Sequence, residues 1–250
     1  MLITLIGTGG CSPSLTRGGA CVLVEGGGAR VAIDLGMGAL VGLLRAGVSH
    51  RDLDAIFLTH RHPDHLSELL PFFFACNYAP PPRQKRFLLA GGPDTLALIS
   101  GVSTIFGRWV EARGYSREVL ELSEGAELLV GGLSVATGHA DHIESSISYR
   151  VSLGGRAAVI TGDTGPSGEL AVFASGADIL IAEASRASDN PADGHLTPVQ
   201  AGELAKAARV KKLVLTHIQP ETETGDPVRE AKSAFGGEVV LGFDGLRLEL

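Results

Sequence analysis

Several patterns are scarce or missing in this chain of 250 residues, and each absence excludes a class of protein. Only three cysteines occur, Cys11, Cys21 and Cys76, an odd number, widely spaced and without a Cys-x-x-Cys pair. That excludes a disulfide-built scaffold and points to a reducing compartment, the cytoplasm. No apolar run approaches the ~18 residues of a membrane span, so no membrane partner is expected. The opening Met1-Leu2-Ile3-Thr4-Leu5-Ile6-Gly7 lacks a basic segment before its short apolar run, and reads as a first strand, not a signal peptide. Basic residues are also short, with 21 Lys and Arg against 28 Asp and Glu, a net charge of −7. Such a chain has no global attraction for nucleic acid or anionic lipid. A polyanionic substrate would need a local positive site, which bound metal ions could supply. Long charge runs are absent and the mean hydropathy is +0.22, which excludes disorder.

The residues present are 44% apolar, enough for a sizeable core, and one domain spanning residues 1–250 is expected. Short apolar runs predict strands at 2–6, 20–25, 30–34, 55–58, 86–90, 128–130, 134–137, 146–151, 157–161, 179–183, 212–216, 238–241 and 246–250. Helical spacing predicts helices at 38–46, 66–76, 93–110, 168–174, 198–208 and 227–235. Ser67 and Thr197 stand at N-cap positions, and Pro198 suits a first turn. Strands come early in pairs and then mix with helices. This order fits an α+β sandwich with helices outside two sheets. Ala55–His60 and Lys212–His217 are alike, each an apolar strand ending in Thr-His, which internal duplication and chance similarity between two short strands explain about equally well. The triplet Pro80-Pro81-Pro82 reads as a rigid loop. The basic cluster Arg83, Lys85 and Arg86 reads as a solvated loop rather than a phosphate contact.

The concentrated chemistry is at residues 59–65, Thr-His-Arg-His-Pro-Asp-His, directly after an apolar strand. A strand that ends in His or Asp delivers that side chain to one rim of a sheet, where α/β folds bind ligands. The same pattern recurs at Asp163 and His217. In extended backbone His60 and His62 point the same way and can grip one metal, and Pro63 holds His62 extended. Asp64 and His65 could face a second metal at the entry to the next helix. Imidazoles with carboxylates suit zinc, and a metal pair about 4 Å apart is a known catalytic arrangement. Manganese or iron would also be accepted by such ligands. Gly7-Thr8-Gly9-Gly10 reads as a tight turn that lets backbone approach the site.

His60-Arg61-His62-Pro63-Asp64-His65 resembles the HxHxDH signature of the metallo-β-lactamase superfamily. The resemblance runs along nearly the whole chain and is nearest to the ribonuclease Z branch. Leu5–Gly10 with Pro13 and Arg17-Gly18-Gly19 resembles that branch's opening, and Asp34-Leu35-Gly36 its next turn. Thr161–Thr164, Leu180–Ala184, His195-Leu196-Thr197 and Leu215-Thr216-His217 resemble its later motifs. The resemblance implies a four-layer αββα sandwich. It implies one metal on His60, His62 and a third histidine, another on Asp64, His65 and His217, and Asp163 between them. The third histidine is either His142 or His139; the family's spacing to a Tyr-Arg strand selects His142. The implied chemistry is hydrolysis by a bridging hydroxide, with Asp64 orienting it and His195, held by Glu183, protonating the leaving group.

Ribonuclease Z proper inserts a long tRNA-gripping arm between the third-histidine motif and the bridging aspartate. Here only 21 positions separate His142 from Asp163 (163 − 142), so the arm is absent. With a net charge of −7, that argues against tRNA as a partner and for a small-molecule or nucleotide phosphodiester substrate. Carboxyl-ester, lactone or sulfate-ester hydrolysis on the same core, and a non-enzymatic metal-binding module, are the alternatives. A homodimer is also possible, because the apolar stretch Leu69–Phe74 suits either a core or a subunit interface.

Overall fold

The computed structural model describes residues 1–250. Three antiparallel strands open the chain: β1 (Leu2–Gly7), β2 (Cys21–Gly26) and β3 (Ala29–Ile33). Helix α1 (Ala39–Arg45) leads to β4 (Ala55–Leu58), α2 (Pro63–Leu66) and α3 (Leu69–Tyr78) to β5 (Phe87–Gly91), and α4 (Thr95–Phe106) to β6 (Arg117–Glu121). The strands β3 to β6 are mutually parallel. The second half repeats this plan. After β7 (Glu127–Val130) come the antiparallel β8 (Leu133–His139), β9 (Ile147–Leu153) and β10 (Arg156–Ile160). Then α5 (Gly168–Phe173), β11 (Ile179–Glu183), α6 (Pro198–Ala207), β12 (Lys212–Thr216), α7 (Pro220–Glu223), α8 (Pro227–Phe235) and β13 (Glu238–Leu241) continue in parallel. The last strand, β14 (Arg247–Glu249), returns to β1.

Two seven-stranded sheets result, ordered β14-β1-β2-β3-β4-β5-β6 and β13-β12-β11-β10-β9-β8-β7. The matching topology makes β4 the counterpart of β11, and β3 of β10. The likeness between residues 55–60 and 212–217 is therefore not the internal equivalence. It reflects two buried strands that both end on the same rim.

One apolar cluster fills the space between the sheets, with Ile3, Leu5, Val31, Phe57, Val135, Tyr149, Ile160, Ile181 and Val214 among its members. A second lies under α1, α3 and α4, and a third under α5, α6 and α8. This is the four-layer αββα arrangement. Strands covered on both faces read as unbroken apolar runs, which is why β4 and β12 stand out in the sequence. Tyr149 crosses between the sheets, its hydroxyl donating to Leu58 O at 2.7 Å and its ring edge-on to Phe57. No helix is long and apolar enough to cross a membrane.

Some expectations need correction. Ser67 is no N-cap: it closes the one-turn helix α2, and Glu68 precedes α3. Thr197 does cap α6, in a reciprocal box with Gln200. The helix expected over 93–110 ends at Phe106, because Gly107 turns to φ 49° and leaves a single 3₁₀ turn. The strand β6 escaped notice because this half-buried edge strand carries charges, with Arg117 stacked on the Phe73 ring. Arg83 is not solvated. It is 1% exposed and donates to the carbonyls of His50, Leu53, Lys85 and Arg86, pinning the Pro80–Arg86 loop. In α3, Leu69, Phe72 and Phe73 are buried in the core, whereas Phe74 is exposed.

Candidate metal centre and active site

The C-terminal ends of β3, β4, β10, β11 and β12 meet at one rim and carry Asp34, His60, Asp163, Glu183 and His217. Pro63 opens α2 and holds His62 extended (φ −67°, ψ 143°), so the chain bends with both imidazoles inward. His60 Nε2 lies 3.0 Å from His62 Nδ1, and His142 Nε2 lies 3.0 Å from the same atom. Asp163 Oδ2 stands behind them, 3.8 Å from His60 Nε2 and 4.0 Å from His142 Nε2.

A second group faces the first across Asp163. Asp64 and His65 lie in the single turn of α2, and His217 follows β12 in a left-handed conformation, φ 57°. That strained backbone is held by Ile218, whose N–H donates to Thr8 O. His65 Nε2 and His217 Nε2 are 3.1 Å apart, and His217 Nε2 is 3.3 Å from Asp64 Oδ2. Asp163 Oδ1 lies 3.2 Å from His65 Nε2 and 3.5 Å from His217 Nε2. The two oxygens of one buried carboxylate thus face two different sets of imidazoles.

These donors fit divalent cations. Zinc–nitrogen bonds of about 2.0–2.1 Å in tetrahedral geometry put ligand nitrogens roughly 3.3 Å apart. Nitrogens 3.0–3.1 Å apart in this buried setting match that spacing. Asp163 Oδ1 is buried without any hydrogen-bond partner, a costly state that a cation would relieve. Burial pushes His60 down to about 2, leaving its ring neutral with a lone pair to offer. Burial alone would raise Asp64, but the hydrogen bond from His217 and the charges of His65 and His217 hold it at about 2. Burial likewise opposes ionisation of Asp163, and His217 and His65 reverse it, keeping that carboxyl well below its usual range.

The ring nitrogens of His60, His65 and His142 turned away from the centre are anchored, which fixes how those three rings face it, whereas His217 Nδ1 is buried without a partner. His65 Nδ1 is 2.8 Å from Asp34 Oδ2, and Asp34 also accepts from Thr59 N–H and Thr59 Oγ1. His142 Nδ1 is 2.9 Å from Gly194 O, and His60 Nδ1 is 3.1 Å from Thr59 Oγ1. Sequence reasoning gave Asp34, Thr59 and Gly194 no part in the site. For Asp34 a signal existed, because it too is an acid directly after an apolar strand.

His195 sits at the mouth, one quarter exposed, with Nδ1 2.8 Å from Glu183 Oε1. Glu183 is fully enclosed and accepts from Thr164 N–H, Ser185 N–H and Ser185 Oγ. That hydrogen bond raises the His195 pKa against the opposing effect of burial. The structure leaves His139 outside: it lies at the surface beside Glu124 and Glu169. Gly10 packs so tightly on this rim that a Cβ there would come within 3.1 Å of His217 Cε1 and 2.3 Å of Gln219 Nε2.

Residues 29–218 match the family model described as the beta-lactamase superfamily domain. The chain belongs to the metallo-β-lactamase superfamily. A ribonuclease Z of Mycobacterium marinum is 31% identical, over 99% of this chain and 98% of its own. Among solved structures, the metallo-β-lactamase fold protein YhfI from Bacillus subtilis superposes with TM-score 0.85 at 23% identity, covering 100% of this chain and 98% of that one. Human tRNase Z, short form, gives 0.76 at 23% identity, covering 100% and 99%. The chain thus has the fold and the His/Asp cluster of a hydrolase family, suited to divalent metal ions.

Proposed function

We propose that the protein is a dinuclear metallohydrolase that cleaves phosphodiesters, in the manner of ribonuclease Z without its arm. The observation that carries this reading is the carboxylate of Asp163, whose Oδ2 faces His60 and His142 while Oδ1 faces His65 and His217. His60, His62 and His142 would hold one cation, Asp64, His65 and His217 the other, with Asp163 shared; zinc is the metal the donor set favours, manganese or iron being alternatives. Two such cations would lower the pKa of a water toward neutrality and neutralise charge developing on the phosphoryl oxygens.

The chain's own residues do the rest. Asp64 stays ionised and partly accessible, so it can orient the attacking water and take its proton. His195 keeps Nδ1 on Glu183, which leaves Nε2 free to donate a proton to the departing alkoxide. The raised His195 pKa keeps the imidazolium available to higher pH. The interval from His142 to Asp163 is filled by β9, a turn and β10, with no room for an arm. A small or nucleotide phosphodiester is therefore the favoured substrate over tRNA. Free thiols at Cys11, Cys21 and Cys76 fit a reducing, cytoplasmic setting.

Metal content and bis(p-nitrophenyl) phosphate turnover, measured side by side for wild type and His65→Ala, test this reading. About two metals per chain, with turnover that collapses in the variant, supports it. Two metals with turnover of aryl esters or lactones but of no phosphodiester would move the assignment to carboxyl-ester or lactone hydrolysis.

A further inference from the structure

Three guanidinium groups sit on segments that carry or adjoin the site. Arg17 is committed to Glu223, Thr8 and Gly242, and Arg61 pairs with Asp94 at 3.6 Å. Arg186 has neither an ion-pair partner nor a side-chain hydrogen bond, although its Nε is buried. A buried N–H without an acceptor costs on the order of 1–3 kcal/mol, more when the group is charged, so its retention calls for a ligand.

The position of Arg186 says which ligand. Its main-chain N–H donates to Leu196 O, next to His195, and it lies three residues beyond Glu183. Glu183 binds Ser185 N–H and Oγ, and Thr222 Oγ1 donates to Ser185 O, so the 183–186 segment is fixed before anything binds. Resting on the phosphodiesterase reading above, we infer that Arg186 binds a non-bridging oxygen of the substrate's phosphoryl group beside His195, selecting anionic phosphodiesters over neutral esters. A fork of N–H donors suits two oxygens of one phosphate, which a lysine meets only as a point charge.

The test is calorimetric titration of the zinc-loaded protein with inorganic phosphate, for wild type, Arg186→Gln and Arg186→Lys, with metal content measured on each sample. Wild type should bind, R186Q about 10- to 100-fold more weakly with unchanged metal, and R186K in between. On bis(p-nitrophenyl) phosphate, kcat/KM should fall by about the same factor, chiefly through KM. Equal phosphate affinity in wild type and R186Q overturns the inference. So does metal loss in R186K, which would make Arg186 a structural strut. If phosphate binding depends on Arg186 but no phosphodiester is cleaved, the anion site stands and the phosphodiesterase reading falls.

Discussion

Asp34→Asn changes one atom in the core and should nonetheless weaken metal binding. Asp34 is 3% exposed, and its Oδ2 receives both Thr59 Oγ1 and His65 Nδ1 at 2.8 Å. With the carboxylate present, Nδ1–H donates and Nε2 keeps its lone pair toward His217 and Asp163. Asparagine retains Oδ1 for Thr59 N–H but places an NH₂ where Oδ2 was. The amide then donates to His65 Nδ1, and the proton moves to Nε2, the tautomer that cannot ligate. Loss of such an orienting partner weakens metal affinity about 10- to 100-fold, roughly 1.4–2.7 kcal/mol. The backbone is spared, since asparagine tolerates the φ of 62° at this position. Competition against a graded series of chelators reads the affinity directly. The expected result is one weakened metal per chain, with the other retained and the fold intact by circular dichroism. Wild-type affinity for both metals in D34N would refute the tautomer argument.

Other changes separate chemistry from stability. His195→Ala should lower kcat on bis(p-nitrophenyl) phosphate about 10²- to 10⁴-fold with metal content unchanged, and a loss of metal would instead make His195 a ligand. Arg83→Met strands four carbonyls around a buried site, those of His50, Leu53, Lys85 and Arg86. It should cost about 3 kcal/mol or more and lower Tm by roughly 6–12 °C, read by calorimetry, without changing kcat/KM in the folded protein. Burial works to raise the Asp178 carboxyl, but Lys211 Nζ, Ala157 N–H and Arg156 outweigh it and hold it well below its usual range. A depressed carboxyl stabilises the fold above its unfolded pKa, about 3.9, and that contribution drains away as pH falls toward the folded value. The asparagine oxygen still accepts from Ala157 N–H, and the pairs with the largely exposed Lys211 and Arg156 are screened by solvent, so Asp178→Asn should cost about 1 kcal/mol or less at pH 7. Urea midpoints should show that gap narrowing below pH ~4, whereas a gap unchanged at pH 3 would contradict the assignment.

Much of the architecture was legible because this fold buries both faces of its central strands. β4, β11 and β12 therefore announce themselves as apolar runs ending in His60, Glu183 and His217. Where burial is one-sided the signal fades, as in β6, whose Arg117, Glu118 and Glu121 hide an edge strand. The His60–His65 cluster was legible because four metal-type side chains in six positions have no packing use. The residues that aim those side chains were not. Asp34 acts through a contact 31 positions away, signalled only by its place after an apolar strand, and Gly194 O acts through one 52 positions away, where a glycine carbonyl carries no signal at all. Arg83 shows the reverse error: a basic cluster suggested solvent, yet one member is a buried bracket, a distinction that only the folded chain makes.

The most direct test of the two-metal account is anomalous diffraction at the zinc edge from crystals of the zinc-loaded protein. The account predicts two peaks, one among His60, His62 and His142 and the other among Asp64, His65 and His217, with the Asp163 carboxylate between them. A single peak, or one coordinated by His139 with Glu124 and Glu169 in place of the His142 group, would contradict it.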